Sequence, residues 1–189
     1  MPTDAGPVRP LRRIEAWLAR EHSDSPPLFR PGATSGTLRR IEARLGTTLP
    51  LDIRTLYTAH DGQPEGAPNL YLNQRWLPLD VMAVAWEDLC RRHRDACEPP
   101  EQWTSGVTNA LAVWSTGWLP VFGSARGDHY CVDIRIRPSG TSGPIIWFLH
   151  DQPERAIFAH NVTQMLKRVA DGVETGTWRL DEGYDGLCD

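Results

Sequence analysis

The stretch GDHYCVDIRIRP, residues 127–138, decides the fold. A β-strand turns successive side chains to opposite faces. Tyr130, Val132, Ile134 and Ile136 therefore share one face, while His129, Cys131, Asp133, Arg135 and Arg137 share the other. The apolar set explains the alternation by itself and predicts a sheet strand with one wet face. His129, Cys131 and Asp133 are also the three residue types of a thiol hydrolase. Neighbours on one strand face lie ~7 Å apart, whereas a nucleophile and its base work at ~3 Å. Nothing nearby resembles a nucleophile elbow, or a helix N-terminus aimed at Cys131 to lower its pKa. The structural strand is the better reading.

Working outward, WLPVF (118–122) and IIWFL (145–149) read as two further strands, joined to the first by the turns GSARGD and PSGTSGP. Connections this short allow only antiparallel pairing, so the three form a meander. IIWFL is apolar at every position, as expected of a strand covered on both faces, and Trp118 and Trp147 are expected to be buried.

Before the meander the apolar period changes to that of a helix. Leu11, Ile14, Trp17 and Leu18 predict an amphipathic first helix ended before Pro26-Pro27. Leu38, Ile41 and Leu45 predict a second, stopped by Gly46. A third begins near Pro50, with Thr48 as a candidate cap and Leu51, Leu56 and Tyr57 facing inward, and Gly62 closes it. Asp80 is a candidate cap for VMAVAWEDLCRRHRDAC, and residues 98–117 read as a long excursion without an element. After the meander, Val162, Met165, Leu166 and Val169 predict a last helix. Helices, a meander and a helix describe an α+β domain, an antiparallel β-meander sheet flanked by helices.

Bulk composition bounds the class. The 189 residues, 40% hydrophobic and 23% charged, suit one globular domain. No apolar run approaches the ~20 residues that cross a bilayer, and the N-terminus lacks the apolar core of a signal peptide. Cysteines at 90, 97, 131 and 188 are irregularly spaced, which predicts reduced thiols and a cytoplasmic setting. Residues 1–60 carry nine basic and six acidic side chains, net +3, and residues 61–189 carry eleven and eighteen, net −7. That imbalance disfavours nucleic acid and fits a protein partner with a basic surface.

Other motifs carry little chemistry. Cys90, His93 and Cys97 share a helix face, but ~10 Å of rise separates the two thiols, too far for one zinc. His60-Asp61 and His150-Asp151 are sequence neighbours that are expected to point apart. NVT (161–163) matches a glycosylation acceptor but falls in a predicted helix. No phosphate loop, dinucleotide fingerprint or HExxH is present. No catalytic residue, cofactor or metal is assigned. Trp76, Trp86, Trp103 and Trp178 fall in irregular places, where an exposed one could anchor a partner.

The order of motifs resembles the SUKH superfamily, the Smi–Knr type domains. IEARLGTTLPLDIRTLYTAHDG (41–62) is similar to the entry motif, a Leu-Gly helix end, a Leu-Pro opening and a closing Asp-Gly after a tyrosine. WLPVFGSARGDHYCVDI (118–134) is similar to the second hallmark, a Trp-x-Pro strand, a Gly-Asp turn and a strand bearing an aspartate. The likeness spans roughly residues 35–187, making 1–34 an N-terminal helix and linker packed on a domain of 35–189, with an insert near 98–117 and an acidic tail. The resemblance implies structural roles for Gly46, Pro50, Tyr57, Gly62, Trp118, Pro120, Gly127, Asp128 and Asp133.

It also implies a non-enzymatic domain that binds proteins. The bacterial branch consists mostly of immunity proteins that occlude a toxin, and nineteen arginines against one lysine suggest a GC-rich, bacterial genome. The expected function is therefore neutralisation of a cognate protein toxin by direct binding. The alternative is a regulatory adaptor or scaffold, as in a fungal relative of cell-wall synthesis, and a thiol or metal enzyme ranks third. Acids and aromatics near loops are the expected contacts: Asp61, Glu65, Tyr71, Trp76, Glu98, Glu101, Trp103, Asp151 and Glu154. The tail acids Asp181, Glu182 and Asp185 are second choices.

Overall fold

The alternating stretch does build a central strand, but neither of its faces is wet. In a computed structural model that describes residues 6–21, 27–98, 113–135, 140–153, 155–181 and 186–188, it is β5 (His129–Asp133). Its neighbours are β4 (Trp118–Gly123) and β6 (Ile145–Phe148), and the edges are β1 (Arg75–Trp76) and β7 (Arg155–Ala159). The order β1-β4-β5-β6-β7 is antiparallel throughout. Helices α1 (Val8–Glu21), α2 (Ser35–Leu45) and α3 (Leu51–Ala59) precede the sheet. Helix α4 (Leu79–Arg92) follows β1, and α5 (Val162–Thr175) follows β7. The class is α+β.

Tyr130, Val132 and Ile134 enter the main core, which also holds Leu11 and Ile14 of α1, Ile41 of α2, Leu56 of α3 and Met165 of α5. Cys131 points the other way, into a second cluster with Leu89, Trp114, Trp118, Ile146 and Phe148. The supposed wet face is thus a core of its own, and Asp133 on it is buried and paired with Arg135. Sequence periodicity misses this because cysteine and a paired aspartate read as polar. On β6 the expectation fails in the opposite sense, since Trp147 is 38% exposed.

Several helix ends differ from expectation. Gly46 does close α2, in the left-handed conformation. Pro50, not Thr48, occupies the cap position of α3, and Leu51 beside it is 65% exposed. Helix α4 starts at Leu79, one residue too early for Asp80 to cap it. The Leu79 N–H is instead accepted by Asp61 Oδ1 at 2.9 Å, from a turn eighteen residues earlier in the chain. Asn161 caps α5 by accepting from the Gln164 N–H, and Gln164 Oε1 accepts from the N–H of His160, the residue before the cap.

The turn that supplies Asp61 organises this side of the domain. Gly62 has φ +71°, and a Cβ there would lie 2.6 Å from Pro78 N. Gln63 is fully buried. Its Oε1 accepts from the N–H groups of Leu70 and Trp76, and its Nε2 donates to Pro68 O. The buried Tyr57 hydroxyl donates to Leu77 O. Leu77 N–H in turn reaches Val121 O, at the β4 bulge that follows Pro120. A proline has no N–H for the ladder, and the bulge aims the next carbonyl at this partner.

Further elements carry no clear sequence signal. β7 has only weak alternation, between a charged loop and a strong helix period. β8 (Arg179–Asp181) and β9 (Gly186–Cys188) form a hairpin, and Leu187 exchanges backbone bonds with Asn69 and Leu72. Within the expected excursion, β2 (Cys97–Glu98) pairs in parallel with β3 (Trp114–Ser115). At the other end, α1 packs on α5 through its buried Leu11, Ile14 and Trp17 and the Arg13 bonds to Asp171 and Glu174.

Two outcomes are expected. Gln63→Leu removes every partner of two buried donors and one acceptor, so urea unfolding should show a loss of about 2–5 kcal/mol. An unchanged midpoint would reject the role of this amide. His60 Nδ1 donates to Arg30 O and Nε2 to Glu15 of α1, which requires the imidazolium and raises the pKa, the Glu15 bond contributing most. The stabilisation is complete below the unfolded imidazole pKa of about 6.5 and is lost as pH rises through the raised folded value. Thermal unfolding across that window should weaken for the wild type and lose this component in His60→Gln.

Candidate interaction surface

The residue types that suggested chemistry are held apart. Burial pushes the Cys131 thiol well above its ordinary range, the wrong direction for a nucleophile. Cys90 accepts from Trp114 Nε1 at 3.4 Å, and His93 lies against the Trp114 and Phe148 rings. Burial lowers the His93 pKa, aided by Arg155 and Arg92. Side-chain geometry at Cys97 lies outside the described residues. His60 and Asp61 turn to different partners, as expected of neighbours. Among the described residues, Asp128, His150 and Asp151 place ligand-type atoms within 4.8 Å of one another. His150 Nδ1 and its backbone N–H both donate to Asp128 Oδ1, at 2.8 and 3.1 Å, so the group is accounted for as an exposed ion pair closing the meander.

What the fold does build is a groove of about 800 Å³ where α4 crosses the end of the sheet. Arg75, Gly123, His129 and Phe148 form one cross-strand row, and the glycine lets His129 and Leu77 pack close over the strand. A Cβ at Gly123 would lie 2.8 Å from His129 Nδ1 and 3.2 Å from Leu77 Cδ1. The groove is bordered by Leu77, Val81 and Ala85 on the apolar side and by Arg75 and Arg126 on the charged side. Burial lowers the His129 pKa, favouring the uncharged ring. Behind the Glu65–Ala67 turn lies a second hollow of about 420 Å³, lined by Pro27, Phe29 and Pro31.

Only part of the expected contact set reaches such a surface. Glu65 lines both hollows and is exposed. Asp151 is exposed beside His150. Asp61 is mostly buried and serves as a cap. Tyr71 and Trp76 are corrections: both are buried, Tyr71 among Tyr130, Phe158 and Trp178, Trp76 against Tyr57 and Phe29. Their apolar area belongs to the core. Trp86 donates to Thr116 O, and Trp178 packs over Gly172. The side chain of Glu98, together with Glu101, Trp103, Glu154, Glu182 and Asp185, lies outside the described residues. Asp181 is half-buried. Sequence reasoning misses the groove arginines because the −7 balance directs attention to acids; the signal for Arg75 is its place beside Trp76 in NQRWLPLD.

Residues 32–168 match the SMI1 / KNR4 family (SUKH-1). The chain belongs to that family. It is 26% identical to the fission-yeast (Schizosaccharomyces pombe) cell wall biosynthesis/cell cycle regulator smi1, over 93% of this chain and 38% of that protein. Identity is 23% to the Neurospora crassa glucan synthesis regulatory protein, covering 93% and 40%, and 20% to the Saccharomyces cerevisiae cell wall assembly regulator SMI1, covering 92% and 42%. The chain spans about two fifths of the length of these relatives. They overturn the toxin-immunity reading, since these members, matched along nearly the whole chain, are fungal regulators and not immunity proteins. No helix among the described residues is long and apolar enough to cross a membrane.

Asp128 raises the His150 pKa through their hydrogen bond. Replacing Asp128 by Asn should move the His150 midpoint, read by NMR titration, down toward that of an ordinary imidazole. An unmoved midpoint would reject the pairing.

Proposed function

We propose that this chain is a non-enzymatic regulatory domain that acts by holding other proteins, in the manner of a scaffold for cell-wall synthesis. The observation that carries the reading is the similarity to the fission-yeast wall and cell-cycle regulator along 93% of the chain. Physical chemistry supports it. The thiol best placed to be a nucleophile is buried, and burial holds its proton on. Among the described residues, no imidazole lies within hydrogen-bond reach of that thiol: His60 and His150 bond carboxylates elsewhere, and His93 packs on the Trp114 and Phe148 rings. A largely preformed groove of mixed apolar and cationic lining suits recognition of a protein segment. The partner on this reading is a protein rather than nucleic acid, because a chain of net charge −4 lacks a broad basic footprint.

The test is genetic and biochemical together. Deleting the gene for this chain in its own cell should sensitise growth to a wall-binding dye, and re-expression should restore resistance. Cys131→Ala and His93→Ala should restore it as fully as the wild type, at matched protein levels. Unaltered dye sensitivity after deletion, or rescue that depends on either side chain, would overturn the reading.

A further inference from the structure

We infer that the groove between α4 and the β1 end of the sheet binds an extended segment of a partner protein in which acidic side chains flank an apolar one. The inference rests on the protein-binding reading above and assigns that binding to a place and a chemistry.

The apolar requirement comes from the groove wall. Val81 is 38% exposed on α4, and with Ala85 and Leu77 it forms the apolar side of the groove. A glycine in a strand commonly marks close approach of another group. A Cβ at position 123 would lie 2.8 Å from His129 Nδ1 and 3.2 Å from Leu77 Cδ1, so these two side chains close over the glycine and form the groove floor. The apolar wall of Leu77, Val81 and Ala85 offers contact to one aliphatic side chain of a segment lying in the groove.

The acidic requirement comes from Arg75 and Arg126. Arg75 is fixed in the sheet opposite Gly123, and Arg126 stands exposed on the turn that joins β4 to β5. Several other arginines are engaged internally: Arg13 with Asp171 and Glu174, Arg44 with Glu87, Arg54 with Glu42. Neither Arg75 nor Arg126 has an ion-pair partner among the described residues. Glu65 is the one carboxylate of the lining among the described residues, so the groove is net cationic although residues 61–189 have a balance of −7. Guanidinium groups bind carboxylates through paired, charge-assisted hydrogen bonds, which gives geometric selectivity as well as attraction. Asn69 and Asn73, also in the lining, offer amide donors and acceptors for a peptide backbone.

A nucleic-acid strand fits less well. Among the described residues, the lining contains no tyrosine, phenylalanine or tryptophan on which a base could stack.

A phage-displayed library of random peptides, selected on the immobilised chain, tests this directly. Selected sequences should be enriched in Asp and Glu around a Leu, Ile, Val or Phe. The same peptides, synthesised with a fluorophore, should bind R75E/R126E at least about tenfold more weakly than wild type, and more weakly with rising salt. R39E/R40E makes the same change in net charge on the exposed face of α2 and should stay within about twofold. Val81→Asp should abolish binding, whereas Val84→Asp, exposed on α4 but outside the groove, should not. Circular dichroism checks that each variant is folded. Selection of nothing, selection without acidic enrichment, equal loss in both double variants, or binding that survives R75E/R126E would each overturn the inference. Carrying R75E/R126E through the dye-resistance rescue separates the two ideas. Wild-type rescue without acidic peptides removes the groove assignment alone, while failure of wild-type rescue removes the regulatory reading and leaves peptide binding standing.

Discussion

One buried amide fixes the relation between the helices and the sheet. Gln63 bonds to three backbone groups that no regular element could satisfy, those of Pro68, Leu70 and Trp76. Left unpaired in the interior, each would cost about 1–3 kcal/mol. Because Gln63 follows Asp61 and Gly62, the same turn that holds β1 in place also caps α4 through Asp61. Tyr57 adds a third tie, from α3 to Leu77 between β1 and α4. Edge strand and helix are therefore positioned together, by side chains drawn from residues 57–63. The groove is the space between those two elements, so its width follows from the turn.

This dependence explains why the fold is more legible in the sequence than the site. The meander and its neighbouring helices are written in local periodicities of two and about 3.6, and most can be read from them. β7 escapes because weak alternation over a short strand gives way to the strong helix period beside it. Thr48, Asp80 and Leu51 mislead because caps and helix faces are chosen by distant partners. Asp61 displaces Asp80 as the cap of α4 from eighteen residues away, and no local rule contains that distance. Irregular surroundings make Trp76 and Tyr71 look like exposed anchors, yet irregular backbone around Gln63 is what folds them inward.

Net charge misleads in a related way. The surplus of acids after residue 60 suggests an acidic face, but many of those acids are neutralised by nearby or facing basic groups. Glu87 pairs with Arg44, Asp88 with Arg91 and Arg92, Asp171 with Arg13 and Lys167. Exposed pairs of this kind add little stability, but they cancel the local field a partner would meet. What remains at a surface is the charge that lacks a mate, and in the groove that charge is positive.

The same logic bears on the fungal relatives. A domain that covers only about two fifths of such proteins need not carry chemistry to matter to them. It needs a rigid recess whose residues are fixed by interactions the partner cannot disturb. Here the recess floor is Gly123 with His129 and Leu77 packed over it, its wall is a helix capped by Asp61, and its charged rim projects from a strand and a tight turn. None of these parts has to move for a segment to enter, so binding loses little free energy to ordering the domain itself. The turn at residues 57–63 thus holds the frame, while exposed lining side chains such as Val81 and Arg126 can differ at little cost to the fold.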